Sequence, residues 1–522
     1  MKLFPEKPSL RKAFILLLLI SFGVRSLLAI FLEFGNDEVY YRLYAMYPDW
    51  GHFDHPPLLG YLIQLFTLNL TLDNEFFIRL PAIIGGLVNT WMVFLITSRI
   101  SNEKAGFTAA MLYTASVYTF IISGTFILPD APQNTFWLIS LWFFIRSFEN
   151  PLPKKNENSY MLLAGLFSGM AIISKFTSIY LWLGVGLFIV FHKRIWLKKP
   201  SLYAAIFISV ICLLPVLYWN WQNHFISFTY QGERVDITQG GFRPDYLFTE
   251  LGGQLLYNNP LIVILGFAGL IAFLNKRSTF QSKSVSLLIW TSLPIIFTFI
   301  GFSIFRQTLP HWSAPGYTGL IIMAALWMNT WKNEKTTRLW RTIPIILLGI
   351  IIITGFIQIR YGSFIRPKKQ EITRKGVHDF SLDLYGWKQA GQTFKIIQDK
   401  AIINSEMPTQ APIISFRWFP AANLDYYFAK PASTHVLAIG SLERIHKYAW
   451  INKERDGFKE GMDAWFITSS RDYKQPEEYL QYFEKIQASD TIPVIRAGDT
   501  VMYFLVYRLL NMQHLPEDVL KN

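Results

Sequence analysis

Cysteine is almost absent: the chain of 522 residues carries one, Cys212, inside the apolar run ICLLPVLYW. A lone thiol excludes an intrachain disulfide and any cysteine-based metal centre, and it leaves the redox compartment open. Charge is also scarce, at 16% of residues against 52% hydrophobic and 16% aromatic, which excludes an ordinary soluble enzyme of this length. No heptad array, internal repeat or low-complexity tract is present. The basic N-terminus and the apolar run after it lack a convincing small-residue cleavage site, so the run reads as a retained first helix and not a signal peptide.

What remains is a polytopic α-helical membrane protein. Apolar stretches of roughly span length occur at 13–32, 80–98, 106–123, 132–148, 160–174, 177–191, 201–217, 258–274, 285–303, 314–331 and 342–359, which predicts eleven transmembrane helices. A net charge of +13 would suggest nucleic acid in a soluble protein, but here the cations collect in alternate short connections. These hold Lys2, Lys7, Arg11 and Lys12; Arg99 and Lys104; Arg146, Lys154 and Lys155; Lys193, Arg194, Lys198 and Lys199; Lys276, Arg277 and Lys283; and Lys332, Lys335, Arg338 and Arg341. The positive-inside rule makes those loops cytoplasmic and puts Asp37, Asp130, Lys175, His224, Arg243 and His311 on the outward side. The charge expresses orientation, and no nucleic-acid partner is expected.

The stretch 56–72 is apolar enough for a further span, yet counting it would reverse every later loop. Its Pro56-Pro57 start and polar breaks at Gln64 and Asn69 fit a helix lying on the membrane surface. Beyond Arg360 charged and turn residues become frequent and apolar runs shorten. The runs 413–416, 435–439 and 464–468 read as buried strands, alternating with helical patterns such as 477–486. This predicts an α/β domain over 360–522 after a membrane domain over 1–359, with the parity of the spans placing it outside the cytoplasm on the side of Asp37.

Asp37 and Glu38 follow the first apolar stretch directly, in GNDEVYYRL at 35–43, where charge at the membrane edge calls for a function or an ion pair. Asp130, in LPDAP, is a second outward acid, or else a turn or helix cap. Lys175 occupies a tight turn as the only basic residue between Lys155 and Lys193. An ammonium there meets a lipid phosphate or snorkels to a headgroup. Arg79 has the same two fates, while Arg25, more than halfway along the first span, is expected to face the bundle interior. His52, Asp54 and His55 in GHFDHPP invite a metal reading against that of a fixed turn shaping a pocket, so a divalent metal stays open as cofactor. His311 stands beside Trp312 at the level of membrane anchors, with lining of the site as its second reading. The connection 219–257, with Gly240-Gly241 and Gly252-Gly253, reads as a lid.

Taken in order, DEVYYRL, FDHPPLLGYLIQL at 53–65, FIRLPA at 77–82, LPDAP at 128–132, ISKFT at 173–177 and LPHWSAPGY at 309–317 resemble bacterial membrane glycosyltransferases of the GT-C fold. The resemblance is to the protein O-mannosyltransferase-like enzymes and to those adding aminoarabinose or galacturonic acid to lipid A and core. It implies inverting transfer of a sugar from a polyprenyl-phosphate donor to a lipid or glycan acceptor, at the periplasmic face of a bacterial inner membrane. An acceptor hydroxyl then needs a carboxylate to take its proton, and the departing phosphate needs cations. On this resemblance Asp37 is the base, and Glu38 orients the acceptor, holds a metal or caps a helix. Asp130 is the second acid, Lys175 and Arg79 meet the phosphate, and His52, Asp54, His55 and His311 belong to the pocket. Alternatives are a protein O-mannosyltransferase and a lipid or glycolipid transporter or flippase. The latter more often places polar groups at the midplane of a repeated bundle.

Overall fold

The computed structural model describes residues 4–150, 155–238, 241–275, 283–365 and 370–521. Lys2, Lys154, Gly240, Lys276 and Arg277, and the side chain of Lys155, lie outside the described residues.

Every apolar stretch expected to span contains a helix, but the stretch 106–123 is broken at the extended Ser116 and continues as a π-helical turn. α1 (Pro8–Phe31) leads through the shorter α2 (Asn36–Met46) and α3 (Leu58–Phe66) to α4 (Glu75–Ile100). There follow α5 (Glu103–Ala115), α6 (Asp130–Ser147), α7 (Lys155–Ile172), α8 (Ile179–His192) and α9 (Pro200–Gln222). The connection read as a lid holds two helices, α10 (Ile226–Val235) and α11 (Pro244–Tyr257). The series closes with α12 (Pro260–Leu274), α13 (Lys283–Ser303), α14 (Ala314–Met328) and α15 (Glu334–Tyr361). Among the described residues, five helices are long and apolar enough to cross a membrane, α1, α4, α9, α13 and α15, and α11 with α12 makes a sixth candidate bent by 95°. The other expected spans are shorter or carry more polar residues. α3 has 9 residues, about 14 Å of helix against a hydrocarbon core of about 30 Å, so it does not cross by itself.

The chain divides into two compact units, Met1–Ala29 with Pro48–Ile350, and Ile30–Tyr47 with Ile351–Asn522. In the first, small residues let helices approach closely. A Cβ on Gly165 of α7 would stand 2.3 Å from the Ala205 carbonyl oxygen of α9, and one on Gly169 would stand 2.8 Å from the Cys212 Cβ. Gly86 of α4 serves a different neighbour, since a Cβ there would lie 1.8 Å from Nη1 of the buried Arg25. Gly86→Ala is therefore expected to destabilise the unit by roughly 1–3 kcal/mol, as overpacking does, read as a lower thermal midpoint of the purified protein in detergent. An unchanged midpoint would mean that Arg25 moves aside freely.

The second unit is α/β. Its five-stranded sheet contains β1 (Ile413–Ser415), β2 (Val436–Ala438), β3 (Ala464–Ser469), β4 (Phe483–Arg496) and β5 (Asp499–Met512) in the order β2-β1-β3-β5-β4. β1 is parallel to β2 and β3, whereas β5 runs antiparallel to β3 and β4. The helical pattern read over 477–486 is corrected here. Pro476–Gln481 forms only a short 3-10 turn, and Phe483 already opens β4. Its Lys, Glu and Gln have little strand preference of their own, and pairing with β5 through the tight Ala497-Gly498 turn overrides them. α16 (Trp387–Ile403) packs Phe394 against Trp465 of β3, with ring centroids 5.5 Å apart. α2 belongs to this unit. Its Tyr40 packs 5.0 Å from Trp418, and the hydroxyl of Tyr47 beyond its end accepts from Arg455 Nε at 2.7 Å.

Candidate active site

In the first unit a cavity of about 200 Å³ is lined by His55, Lys175, Thr177, Gln231, Arg234 and Trp312, among others. One wall is the turn between α7 and α8. Gln133 of α6 ties that turn down by donating to Thr177 Oγ1 at 2.8 Å and Ser178 Oγ at 3.1 Å. Lys175 Nζ donates to Asp130 Oδ2 at 2.8 Å with both side chains buried, and the Tyr118 hydroxyl donates to Asp130 Oδ1 at 3.1 Å. The isolation of Lys175 in the sequence is thus not isolation in space. The basic residue that stands alone between Lys155 and Lys193 has a carboxylate partner from 45 residues away.

Another part of the lining comes from α10, whose residues 227, 230, 231 and 234 recur at helical spacing and so share one face. Ser227 Oγ donates to the His52 carbonyl at 2.7 Å, and Gln231 Nε2 donates to the Asp54 carbonyl at 2.5 Å. Between them Tyr230 packs 4.6 Å from Phe53. Those three contacts hold the GHFDHPP turn in place. Arg234 then lies with its guanidinium 4.5 Å from the centre of the Trp312 ring and 5.6 Å from that of Tyr230. It has no carboxylate partner among the described residues.

His55 and His311 lie in connections outside the spanning helices. Burial pulls both imidazoles down to about 4; the Lys175 ammonium adds to this and the Asp130 carboxylate opposes it. Both rings are therefore neutral at pH 7 and can act as hydrogen-bonding groups without adding charge. Among the described residues no three His, Cys, Asp or Glu side chains are grouped to hold a metal ion.

The remaining candidates are not among the residues that line this cavity. Arg79 is fully buried, donating from Nη1 to the Ala29 carbonyl at 3.1 Å with its guanidinium 5.4 Å from the Phe126 ring centre; it is not among the residues lining the cavity. Asp37 and Glu38 are in the second unit, in the first turn of α2. Glu38 is buried and its carboxylate reaches back to accept from the Gly35 N–H at 2.9 Å, which satisfies one free donor at the start of α2, while Asp37 is exposed. Sequence reasoning missed Tyr118, Gln231 and Arg234. The helical spacing of 227, 230, 231 and 234 was the available signal for the last two.

The fold is GT-C, the architecture of a class of membrane glycosyltransferases. Residues 54–219 match the family described as dolichyl-phosphate-mannose-protein mannosyltransferase. Over 304 residues the chain is 22% identical to undecaprenyl phosphate-alpha-4-amino-4-deoxy-L-arabinose arabinosyl transferase 1 of Pseudomonas fluorescens (strain Pf0-1), a match covering 55% of this chain and 50% of that relative. The chain thus spans half the length of this curated relative. ArnT from Cupriavidus metallidurans in the apo state superposes with a TM-score of 0.63 at 12% identity, covering 95% of this chain and 98% of that one. The same protein bound to undecaprenyl phosphate gives 0.63 at 13% identity, covering 95% and 97%.

Proposed function

We propose that the protein is an inverting glycosyltransferase that moves a sugar from a polyprenyl-phosphate donor to a cell-envelope acceptor, lipid A, core or another glycan. Membrane region 1–359 carries the donor site, and α/β region 360–522 faces the periplasm with it, as the distribution of Lys and Arg among the loops supports. One observation carries the donor assignment. The cavity that holds Lys175 and Arg234 shares Ile179 with an adjoining groove of about 420 Å³, lined almost wholly by aliphatic and aromatic side chains of α7, α8 and α9. Cations at one end and an apolar trough at the other suit a molecule with an anionic head and an isoprenoid tail.

In this reading the acceptor hydroxyl oxygen bonds to the anomeric carbon as the bond from that carbon to the phosphate oxygen breaks. The hydroxyl proton goes to Asp37, and the electron pair leaves with the lipid phosphate. Lys175 hydrogen-bonds the phosphate while Asp130 balances its charge, so Arg234, held against Trp312, supplies the uncompensated cation. Charge-assisted hydrogen bonds are worth about 1.5–3 kcal/mol, so Arg234→Gln should weaken donor use roughly 10- to 150-fold. The measurement is transfer by reconstituted protein against polyprenyl-phosphate-sugar concentration, and a folded variant with wild-type donor dependence would remove Arg234 from this role. The reading as a whole is tested by mass spectrometry of envelope glycolipids with and without the gene. Unchanged glycolipids together with newly lost protein glycosylation would move the acceptor to a protein hydroxyl, the alternative that the mannosyltransferase family match favours.

A further inference from the structure

Arg25 lies inside α1 with no exposed surface. A guanidinium within a membrane span is costly, and such groups usually serve a function. No carboxylate pairs with it among the described residues. Its Nη2 donates to the Thr119 carbonyl at 3.3 Å, its plane lies 4.5 Å from the Phe120 ring centre, and Nε and Nη1 have no hydrogen-bond partner among the described residues. Two glycines make room for it. A Cβ on Gly86 would lie 1.8 Å from Nη1, and one on Gly124 would lie 2.9 Å from Cζ.

Thr119 and Phe120 both belong to the π-helical turn Tyr118–Ile122, in which the Ser123 N–H donates to the Tyr118 carbonyl at 2.9 Å. Widened turns of this kind interrupt a helix and often mark functional sites. The first residue of the turn is Tyr118, whose hydroxyl holds Asp130 Oδ1 while Lys175 holds Oδ2. On its other side the turn is tied by Asn134, whose Nδ2 donates to Ser123 Oγ at 3.1 Å and to the Tyr113 hydroxyl at 3.2 Å. A continuous chain of contacts therefore runs from Arg25 through Thr119 and Tyr118 to Asp130 and the lysine on the cavity wall.

We propose that Arg25 is a positioning residue: it fixes the π-helical turn so that Tyr118 orients Asp130 and, through it, the Lys175 ammonium. The effect on transfer rests on the donor-site reading above, whereas the geometric claim does not. A purely packing role predicts that Arg25→Met costs the same whether or not Tyr118 has its hydroxyl. A positioning role predicts coupling of the size found along contiguous networks, roughly 2- to 30-fold.

The test is a double-mutant cycle in the full-length reconstituted protein, joined to a spectroscopic readout. Arg25→Met should raise the donor KM or lower kcat about 2- to 30-fold. In a Tyr118→Phe background the same change should have almost no further effect, and Arg25→Lys, which can still donate to Thr119, should recover part of the loss. Independently, 3-fluorotyrosine placed at 118 should shift its ¹⁹F resonance in Arg25→Met in the direction seen for Asp130→Asn. Equal kinetic losses in both backgrounds, or an unmoved resonance in a folded Arg25→Met protein, would overturn the inference. If wild type transfers no polyprenyl-linked sugar, the donor-site reading fails, and the resonance alone still decides on Arg25. If Arg25→Met does not fold, Arg25→Gln carries the same measurements, because its shorter neutral amide loses the reach to Thr119.

Discussion

Asp130→Asn and Lys175→Met should each cost the membrane unit roughly 3–5 kcal/mol, because each leaves the other partner as an uncompensated buried charge. The two charges are 2.8 Å apart with almost no exposed surface, and neither has a second ion-pair partner among the described residues. The double variant Asp130→Asn/Lys175→Met removes both charges and should return most of the lost stability, since replacing a buried pair with neutral groups is often close to neutral. Transfer should not return with it, because the ammonium on the cavity wall is gone. Thermal midpoints in detergent and donor saturation curves on the three variants separate the two effects. Recovery of both stability and activity in the double variant would reduce the pair to a structural link and end the donor role of Lys175.

That separation is needed because the sequence shows the two residues in different outward loops but not their meeting. Apolar length and loop charge are local properties, and they were enough to place a helix in each of the eleven apolar stretches and to set the short α3 apart from them, but not to find α10 and α11 inside the connection read as a lid. The pairing of residues 130 and 175 depends on how α6 and α7 pack, which no periodicity encodes. Arg234 was hidden for a different reason. In GERVDITQ it reads as part of a polar, solvated connection, and its place at the cavity emerges only when α10 forms and its face lies over the GHFDHPP turn. The strand β4 was missed because Glu484, Lys485 and Gln487 suit a helix surface, and only the register with β5 makes them a strand. Asp37 and Glu38, read as one acidic pair, part company because successive residues on a helix are about 100° apart. One carboxylate turns inward to the cap, and the other is exposed.

This parting makes the final expectation a comparison of neighbours. Asp37→Asn should leave the fold near wild type, because the side chain is exposed and the hydrogen bond from the Gly35 N–H to Glu38 stays intact. If Asp37 takes the proton of the acceptor hydroxyl, its loss should slow transfer by roughly 10²- to 10⁴-fold, the usual worth of a general base. Glu38→Gln should behave in the opposite way. Its amide cannot place a charged oxygen on the Gly35 N–H, so α2 should lose some of the roughly 0.5–2 kcal/mol that a helix cap contributes, with only a small change in kcat. Transfer kinetics and thermal midpoints on both variants give a two-by-two outcome that a shared acidic site cannot imitate. A fully active Asp37→Asn protein would remove the base, and would turn attention to an acceptor that attacks through a phosphate oxygen, which has no proton to give up.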